Sequence, residues 1–593
     1  MVEHVELRVQ KNLLNPHFDG YKLSLDSLPV YSKELECGLD VVKLTDDQYS
    51  YHHAKLFGSH NHLISDPWSP DTIYFIDTEW DVRRVQLSGQ SKLEIGDRIF
   101  QIPDRANQHL VPGRYNSSLC FAGRHTAVLA DGAGNFSVLD TDNRVEHAYV
   151  WKAVFSSSDV VSGSKLFEVV SAVQHRTDEN HRIECLLVHI EERDEEHKEK
   201  YSSPFLTVIT WITLLSVDKK VWTVERTRRL EGVKPFDYAV VEKDGSAVLI
   251  LSEQKFTLVT DSVNPVQSAG EWEVIAKVFP DDIPRYTWSQ DSEDINIQFT
   301  VPAGVVKADI FLNLQADHIE FGVKNGLTLL KGQVHDRVDV EASTWTIQGQ
   351  RVELTLSKEV SGNWPEVVLG DTHGEMVLDT EQVAQIHERL AHLTSDQWNP
   401  DPESRGEKPY NCQELEDCDD SNDDCRLMRI DGETHTATHA INLGGHQWLF
   451  CKQTDSEKPP ALCLRHDVDG LLWQPEQPSS SRETLLHHTG TFNAFGYVQA
   501  SKQQKKFSSC APNLSYAVIC ECVRHIYIYR QNSPVLSPLR NRKTGQQVSA
   551  IAKQQVVALE STDNILGLHV TNRQIFVATG KTVYAIATEE TSG

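Results

Sequence analysis

Apolar–polar alternation over short runs, broken by compact polar turns, recurs on both sides of the chain's middle, and helical periodicity is almost missing there. A strand with one buried face alternates with period two, and a tight hairpin needs residues that tolerate positive φ, so this pattern restricts the flanks to antiparallel β structure. TIYFIDTEWDVRRVQL (72–87) pairs two alternating runs around a polar turn. HTAVLADGAGNFSVLD (125–140) does so more sharply, with Asp131-Gly132 and Gly134 at the turn. SAVLILSEQKFTLVT (246–260) follows Asp244-Gly245. Later come HQWLFCKQ, the pair around Asp469-Gly470, SYAVICECVRHIYIYR (515–530) and NRQIFVATGKTVYAIAT (572–588). Hairpins spaced by tens of residues and linked by variable loops are the pattern of propeller blades. A two-sheet sandwich is too small for this much strand. The expected fold is all-β: a split β-propeller of about seven or eight blades, built from 1–275 and 430–593.

Between these flanks lies a different unit. YTWSQDSEDINIQFTV (286–301) alternates cleanly through Ile295, Ile297, Phe299 and Val301, and Pro302 ends the run. ADIFLNLQ, HIEFGVK, LKGQVHDRV, STWTIQG and RVELTLSK follow with short turns. Seven or so strands in under a hundred residues, without a helix, predict a compact antiparallel sandwich over 284–370. Trp288, Trp345 and Trp364 offer the apolar area that such a small core needs.

Two further segments break the β pattern. In EQVAQIHERLAHLTSDQW, Val383, Ile386, Leu390 and Leu393 share one helical face, with Asp379 and Thr380 as N-cap candidates, so 379–398 is expected to be an amphipathic helix. NPDPESRGEKPYNCQELEDCDDSNDDC is Pro-rich and then acidic, so 399–429 reads as a linker or loop. EERDEEHKEK (191–200) reads as a charged blade-loop insertion.

Charge narrows function. The formal net charge of −28 opposes phosphate-driven nucleic-acid binding, which needs a basic surface. The best apolar run, FLTVITWITLLSV (205–217), breaks at Asp218, so no membrane span is expected. MVEHVELRVQKNLL lacks the basic and apolar regions of a signal peptide, and 11 scattered cysteines fit a reducing compartment. The expected location is cytoplasmic. Lys502, Lys505 and Lys506 are too few for a nucleic-acid patch, but leave a nuclear address as a lesser reading.

Each cluster with chemical potential has a structural explanation that outweighs it. Cys520-Glu521-Cys522 sits in a predicted strand and lacks a second ligand pair, and the gaps among Cys412, Cys418 and Cys425 match no zinc pattern. Glu414–Asp424 lacks the Gly and terminal Glu of a calcium loop, while Asp131, Ala133 and Asn135 read as a hairpin turn. In Arg465-His466-Asp467-Val468-Asp469, adjacent His and Asp on a strand point to opposite faces, which favours an interblade hydrogen-bond network over an acid–base pair. No phosphate loop, nucleophile elbow or dinucleotide fingerprint stands in its required context. The sequence therefore predicts no enzyme, no cofactor and no metal.

The central unit also carries a resemblance. Tyr286-x-Trp288-x-Gln290, the ADI turn into a strand, Ser343-Thr344-Trp345 and Trp364-Pro365 resemble the CS domain of the NudC group, related to the small co-chaperone p23. NPHFDGYKLSL (15–25), HERLAHLTSDQWNP (387–400), CLRHDVDGLLWQP (463–475) and TFNAFGYVQASKQQKKF (491–507) are similar to a larger member of that group, over nearly the whole chain. The departures fall in the loops near 190 and 415. The resemblance implies a sandwich core containing Trp288, Phe299, Trp345, Trp364 and Pro365. It also implies a non-enzymatic co-chaperone or adaptor that binds client proteins, propeller-containing ones among them, and in some members the ninety-kilodalton heat-shock chaperone. The competing expectation is a scaffold for one stable partner, a basic protein being the natural match for the acidic surface.

Overall fold

The computed structural model describes the chain except for 194–203, 267–285, 377–389, 391–424, 541–546, 589–593 and shorter stretches at the start and in loops. It divides into two units, Met1–Gln267 with Leu393–Gly593, and Ser268–His392. The expected helix at 379–398 lies outside the described residues apart from Leu390, as do Cys412, Cys418 and the acidic run that follows.

Among the described residues, the first unit contains seven sheets of four or five strands each. Blades one and two use 64–101 and 118–157 in simple order. Blade three takes four strands from 168–232 and a fifth, Thr257–Asp261, at its outer edge. Blade four joins Phe236–Val241 and Ala247–Ser252 to Arg426–Asp431 and Ala437–Asn442 across the central insertion. Blades five, six and seven follow from 446–492, 505–558 and 565–587. The expected count of about seven or eight blades resolves to seven.

Apolar side chains close the ring at every blade interface. Tyr74 and Phe121 meet between blades one and two, Phe136 and Ile183 between two and three, and Trp211 and Ile250 between three and four. Leu249 and Leu462 join four to five, Val518 and Ile575 join six to seven, and Phe576 and Phe75 join seven to one. Between five and six, Phe495 stands edge-on to Tyr529 at 5.9 Å. Each hairpin is thus amphipathic twice over, burying one face against each neighbouring blade. That explains continuous buried runs such as Thr72–Ile76 and Ala247–Ser252.

Three short N-terminal strands complete this ring. Glu3–His4 adds in parallel to blade four, Lys22–Leu23 in parallel to blade six, and Val30–Glu34 antiparallel to the last strand of blade seven. Between them, the Gln10 amide donates to His488 Nδ1 of blade five at 3.1 Å, and the Tyr21 hydroxyl donates to the Asn493 carbonyl. One strap of about thirty residues therefore runs past four consecutive blades.

One boundary needs correction. The strand Arg426–Asp431 begins inside the stretch 399–429 that sequence reads as linker. Its arginines at 426 and 429 masked the apolar residues Leu427, Met428 and Ile430, all buried, with Leu427 packed toward blade five and Ile430 toward blade three.

The second unit is a sandwich. Five strands, in the order Val338–Gln348, Arg351–Lys358, Asp294–Thr300, Tyr286–Gln290 and Gly374–Met376, face three, Ile310–Leu314, His318–Val323 and Thr328–Gln333. Tyr286 pairs with Gly374 and Trp288 with Met376 in parallel, so the unit begins and ends on adjacent strands.

Candidate functional site

Within the sandwich, alternation in Tyr286–Gln290 turns Tyr286, Trp288 and Gln290 inward. Trp288, Phe299 and Trp364 lie in the apolar core with 3%, 1% and 4% of their surface exposed. Trp345 packs against that core from its margin and is half-buried, because its strand is the edge of the larger sheet. Pro365 is exposed and stands outside the core. It follows the buried indole in an irregular segment, where proline needs no amide partner.

Gln290 carries a role that hydrophobic patterning misses. Its carbonyl accepts from the Trp364 amide at 2.8 Å and from Lys358 Nζ at 3.0 Å, while its own amide donates to the Trp364 carbonyl at 2.8 Å. Lys358 also donates to the carbonyls of Asp291 and Gly362, and burial lowers its pKa. A buried ammonium is tolerable only when its protons are matched, and here three oxygens do so. This clasp holds the Trp364 segment against the first strand.

Within the ring, the distinctive feature is a helix laid over blades three and four. Tyr51–Ser59 starts at Ser50, whose hydroxyl accepts from the His53 amide. Lys55 Nζ pairs with Asp237 of blade four at 2.7 Å, and His52 Nδ1 meets Thr207 of blade three at 2.7 Å. Just beyond the helix, His60 pairs with Glu168 of blade three at 3.1 Å, while Asn61 Nδ2 donates to Leu568 of blade seven at 2.8 Å. Blades three and seven stand three steps apart, the farthest separation a seven-membered ring allows, so these neighbouring residues cross the axis. At the other ends of the inner strands, Lys243 of blade four lies 5.6 Å from the Trp68 ring of blade one, again three steps away.

Sequence patterning misses this helix because much of its buried surface is histidine. Burial, helped for His52 by neighbouring cations, lowers the pKa of His52 and His53 to about 4, which leaves both neutral. Beside the helix is a cavity of about 120 Å³, lined among others by His52, Leu56, Val188, Phe236 and Trp448. It is mainly apolar, and its Lys55 and Asp237 pair with each other.

The other candidates separate. Cys520 is buried in the blade-six strand Tyr516–Glu521 and Cys522 is buried just beyond its end, and among the described residues no three His, Cys, Asp or Glu side chains cluster as metal ligands. Asp131 caps its own hairpin, accepting from the Ala133 and Asn135 amides, and a Cβ at Gly132 would stand 2.0 Å from the Tyr115 carbonyl oxygen. Asp467 is a turn residue at φ 53°, not a strand residue as expected. Arg465 donates to its carbonyl and His466 stacks on His446 at 4.8 Å, contacts made within blade five and not between blades. Lys502 and Lys505 are 1% and 7% exposed, and Lys502 sits over the Tyr527 ring, so these residues do not form the exposed basic stretch that a nuclear address needs.

Fold and site together define a class: a CS-type sandwich carried within the sequence of a seven-bladed propeller. The CS domain family matches residues 284–358. The chain is 38% identical to NudC domain-containing protein 1 of Xenopus tropicalis, over 99% of each chain. It is 37% identical to the protein of that name from Mus musculus, over 98% of each. The WD40 domain of SCAP from fission yeast aligns over 96% of this chain and 98% of its own, at 9% identity and a TM-score of 0.29, so the ring here rests on its own strand pairing. The chain belongs to the NudC domain-containing protein 1 family.

Proposed function

We propose that the protein is a non-enzymatic co-chaperone or adaptor that engages client proteins through its CS sandwich and its ring. The observation that carries this reading is the CS domain at 284–358 within a chain of NudC-family ancestry along its whole length. Two rigid recognition modules on one chain raise the effective concentration of each for a shared client. The ring supports the same reading. Its axis is spanned near one end by His60 and Asn61 and at the other by the Lys243–Trp68 side-chain contact, and the buried Arg144–Asp66 pair ties two blades together, as a rigid scaffold requires. The ninety-kilodalton heat-shock chaperone is the expected partner for the CS domain, and propeller-containing proteins the expected clients. The cytoplasm is the expected location, and neither nucleic acid nor a membrane surface is an expected partner.

The net charge of −28 favours a second reading, a scaffold for one basic partner. Affinity capture with the full chain at low and high salt separates the two. Several salt-resistant partners rich in propellers, with suppressed aggregation of a thermally unfolding propeller protein, support the co-chaperone. A single salt-sensitive stoichiometric partner supports the scaffold.

A further inference from the structure

The sandwich presents two edge strands on one side. Val338–Gln348 ends the five-stranded sheet and Ile310–Leu314 ends the three-stranded sheet, so among the described residues each is paired along one edge only. The two edges adjoin. Trp345 stands edge-on to Phe321 at 6.1 Å, and Phe321 is the cross-strand partner of Leu312. Lys307, just before Ile310, lies 5.3 Å from the Trp345 ring. Leu312 and Leu314 from one edge, and Trp345 and Ile347 from the other, are all half-buried against the core.

Natural proteins blunt exposed edges with charge, proline or bulges, because free N–H and C=O groups recruit further strands. The first half of Val338–Gln348 is blunted in this way. The pairing slips between Asp339 and Thr344, and Asp339 and Glu341 are exposed. The second half, Thr344-Trp345-Thr346-Ile347, carries no charge and no proline, and neither does Ile310–Leu314. An unprotected edge of four or five residues beside alternating half-buried apolar side chains specifies its occupant by hydrogen bonding as well as by greasiness. The backbone demands an extended strand, and the side chains demand apolar residues at every second position.

We propose that this paired edge is a peptide-binding groove that takes one extended, alternately apolar segment of a non-native polypeptide by strand addition. The assignment rests on the co-chaperone reading and deepens it. It gives the client's chemistry as an exposed β-prone segment rather than a folded surface.

The test uses the full chain and a fluorescent nonapeptide of alternating valine and threonine, with an equal-length control interrupted by two prolines. Fluorescence polarisation should show saturable binding of the first peptide and none of the second. Ile347→Lys and Leu314→Lys, which place a charge at the groove, should each weaken binding at least about tenfold with the melting temperature little changed. Val360→Lys, at an exposed position on the same unit, should leave binding intact. Should either groove variant fail to fold, hydrogen exchange on the wild-type chain replaces it, with the Thr344–Ile347 amides expected to slow when peptide is added. Equal binding of both peptides, unchanged exchange at 344–347, or a dimer abolished by Ile347→Lys would overturn the proposal, the last by giving the edge to a second copy. Peptide binding without any suppression of aggregation would uphold the groove while removing the co-chaperone reading, so the two can fail separately.

Discussion

Arg144 and Asp66 join blades one and two through two hydrogen bonds of 2.8 and 3.0 Å, with both side chains almost wholly buried. The guanidinium also reaches Gly123 O and Thr141, and lies 4.1 Å from the Phe121 ring centre. Removing one partner of such a pair strands a charge without water. Asp66→Ala should therefore cost about 3–5 kcal/mol in urea unfolding, whereas breaking an exposed pair such as Lys92–Glu94, which water already solvates, should leave the unfolding midpoint nearly unchanged. Histidines set the pH response. Burial lowers His52, His53 and His488 to about 4 from the usual 6.5, and His569 to about 3. Between pH 6.5 and 4 the unfolded chain then binds protons that the folded ring refuses. Stability should fall with pH across that window, each such histidine adding a slope of up to about 1.4 kcal/mol per pH unit. Denaturation curves at several pH values check this, and His52→Gln should flatten the dependence. At this scale the sequence showed which aromatic residues could form a core. It did not show that Pro365 is exposed or that Gln290 is buried, because each is decided by where the chain turns after 358.

The strap over four blades is the element whose weight exceeds its length. Its strands on blades four and six are two residues each, too short to leave a pattern in NPHFDGYKLSL or the residues before it. What holds it is Tyr21, 1% exposed and edge-on to Tyr529 at 5.0 Å. Tyr21→Ala should destabilise the ring by about 3–5 kcal/mol, the range for emptying a large aromatic site, as read by thermal or urea unfolding. If the ring does not depend on the strap, the loss will stay below about 1 kcal/mol. The Tyr51–Ser59 helix was hidden for a related reason: its buried surface includes His52 and His53, which carry little hydrophobic signal. The hairpins at 72–87 and 125–140 in blades one and two were legible because each sets two alternating runs around a polar turn, whereas the strand Phe205–Ser216 of blade three is buried almost without a break and read only as an apolar run.

For the whole molecule, the geometry of the insertion is the controlling fact. The chain leaves the ring after Thr257–Asp261, where Asp261 holds His435 at 2.7 Å and Asn264 donates to the Glu433 carbonyl, both at the turn that ends Arg426–Asp431. It returns at Cys425, the opposite end of that strand, and six residues of strand span roughly 20 Å. Replacing 268–424 by four residues should break blade four, while a replacement of about twenty Gly/Ser residues should preserve a cooperative melt. Calorimetry of the two deletions distinguishes these outcomes. Fragment 1–275 supplies three of blade four's five strands but only a single edge strand each to blades six and seven, so expressed alone it leaves unpaired edges and should aggregate.

Local pattern by itself determined that the flanks are hairpins, that a sandwich stands between them, and that no catalytic motif occupies its required context. Period-two alternation and turn glycines are properties of neighbouring residues, and they survive in any arrangement of the blades. Which strand lies beside which is a property of residues hundreds of positions apart. Glu3 pairs with His439, Val30 with Ile586, and His60 and Asn61 reach opposite sides of the ring. Only ring closure decided those contacts, because the apolar faces of the first and last blades are buried when they meet, and nothing in either segment alone requires the other.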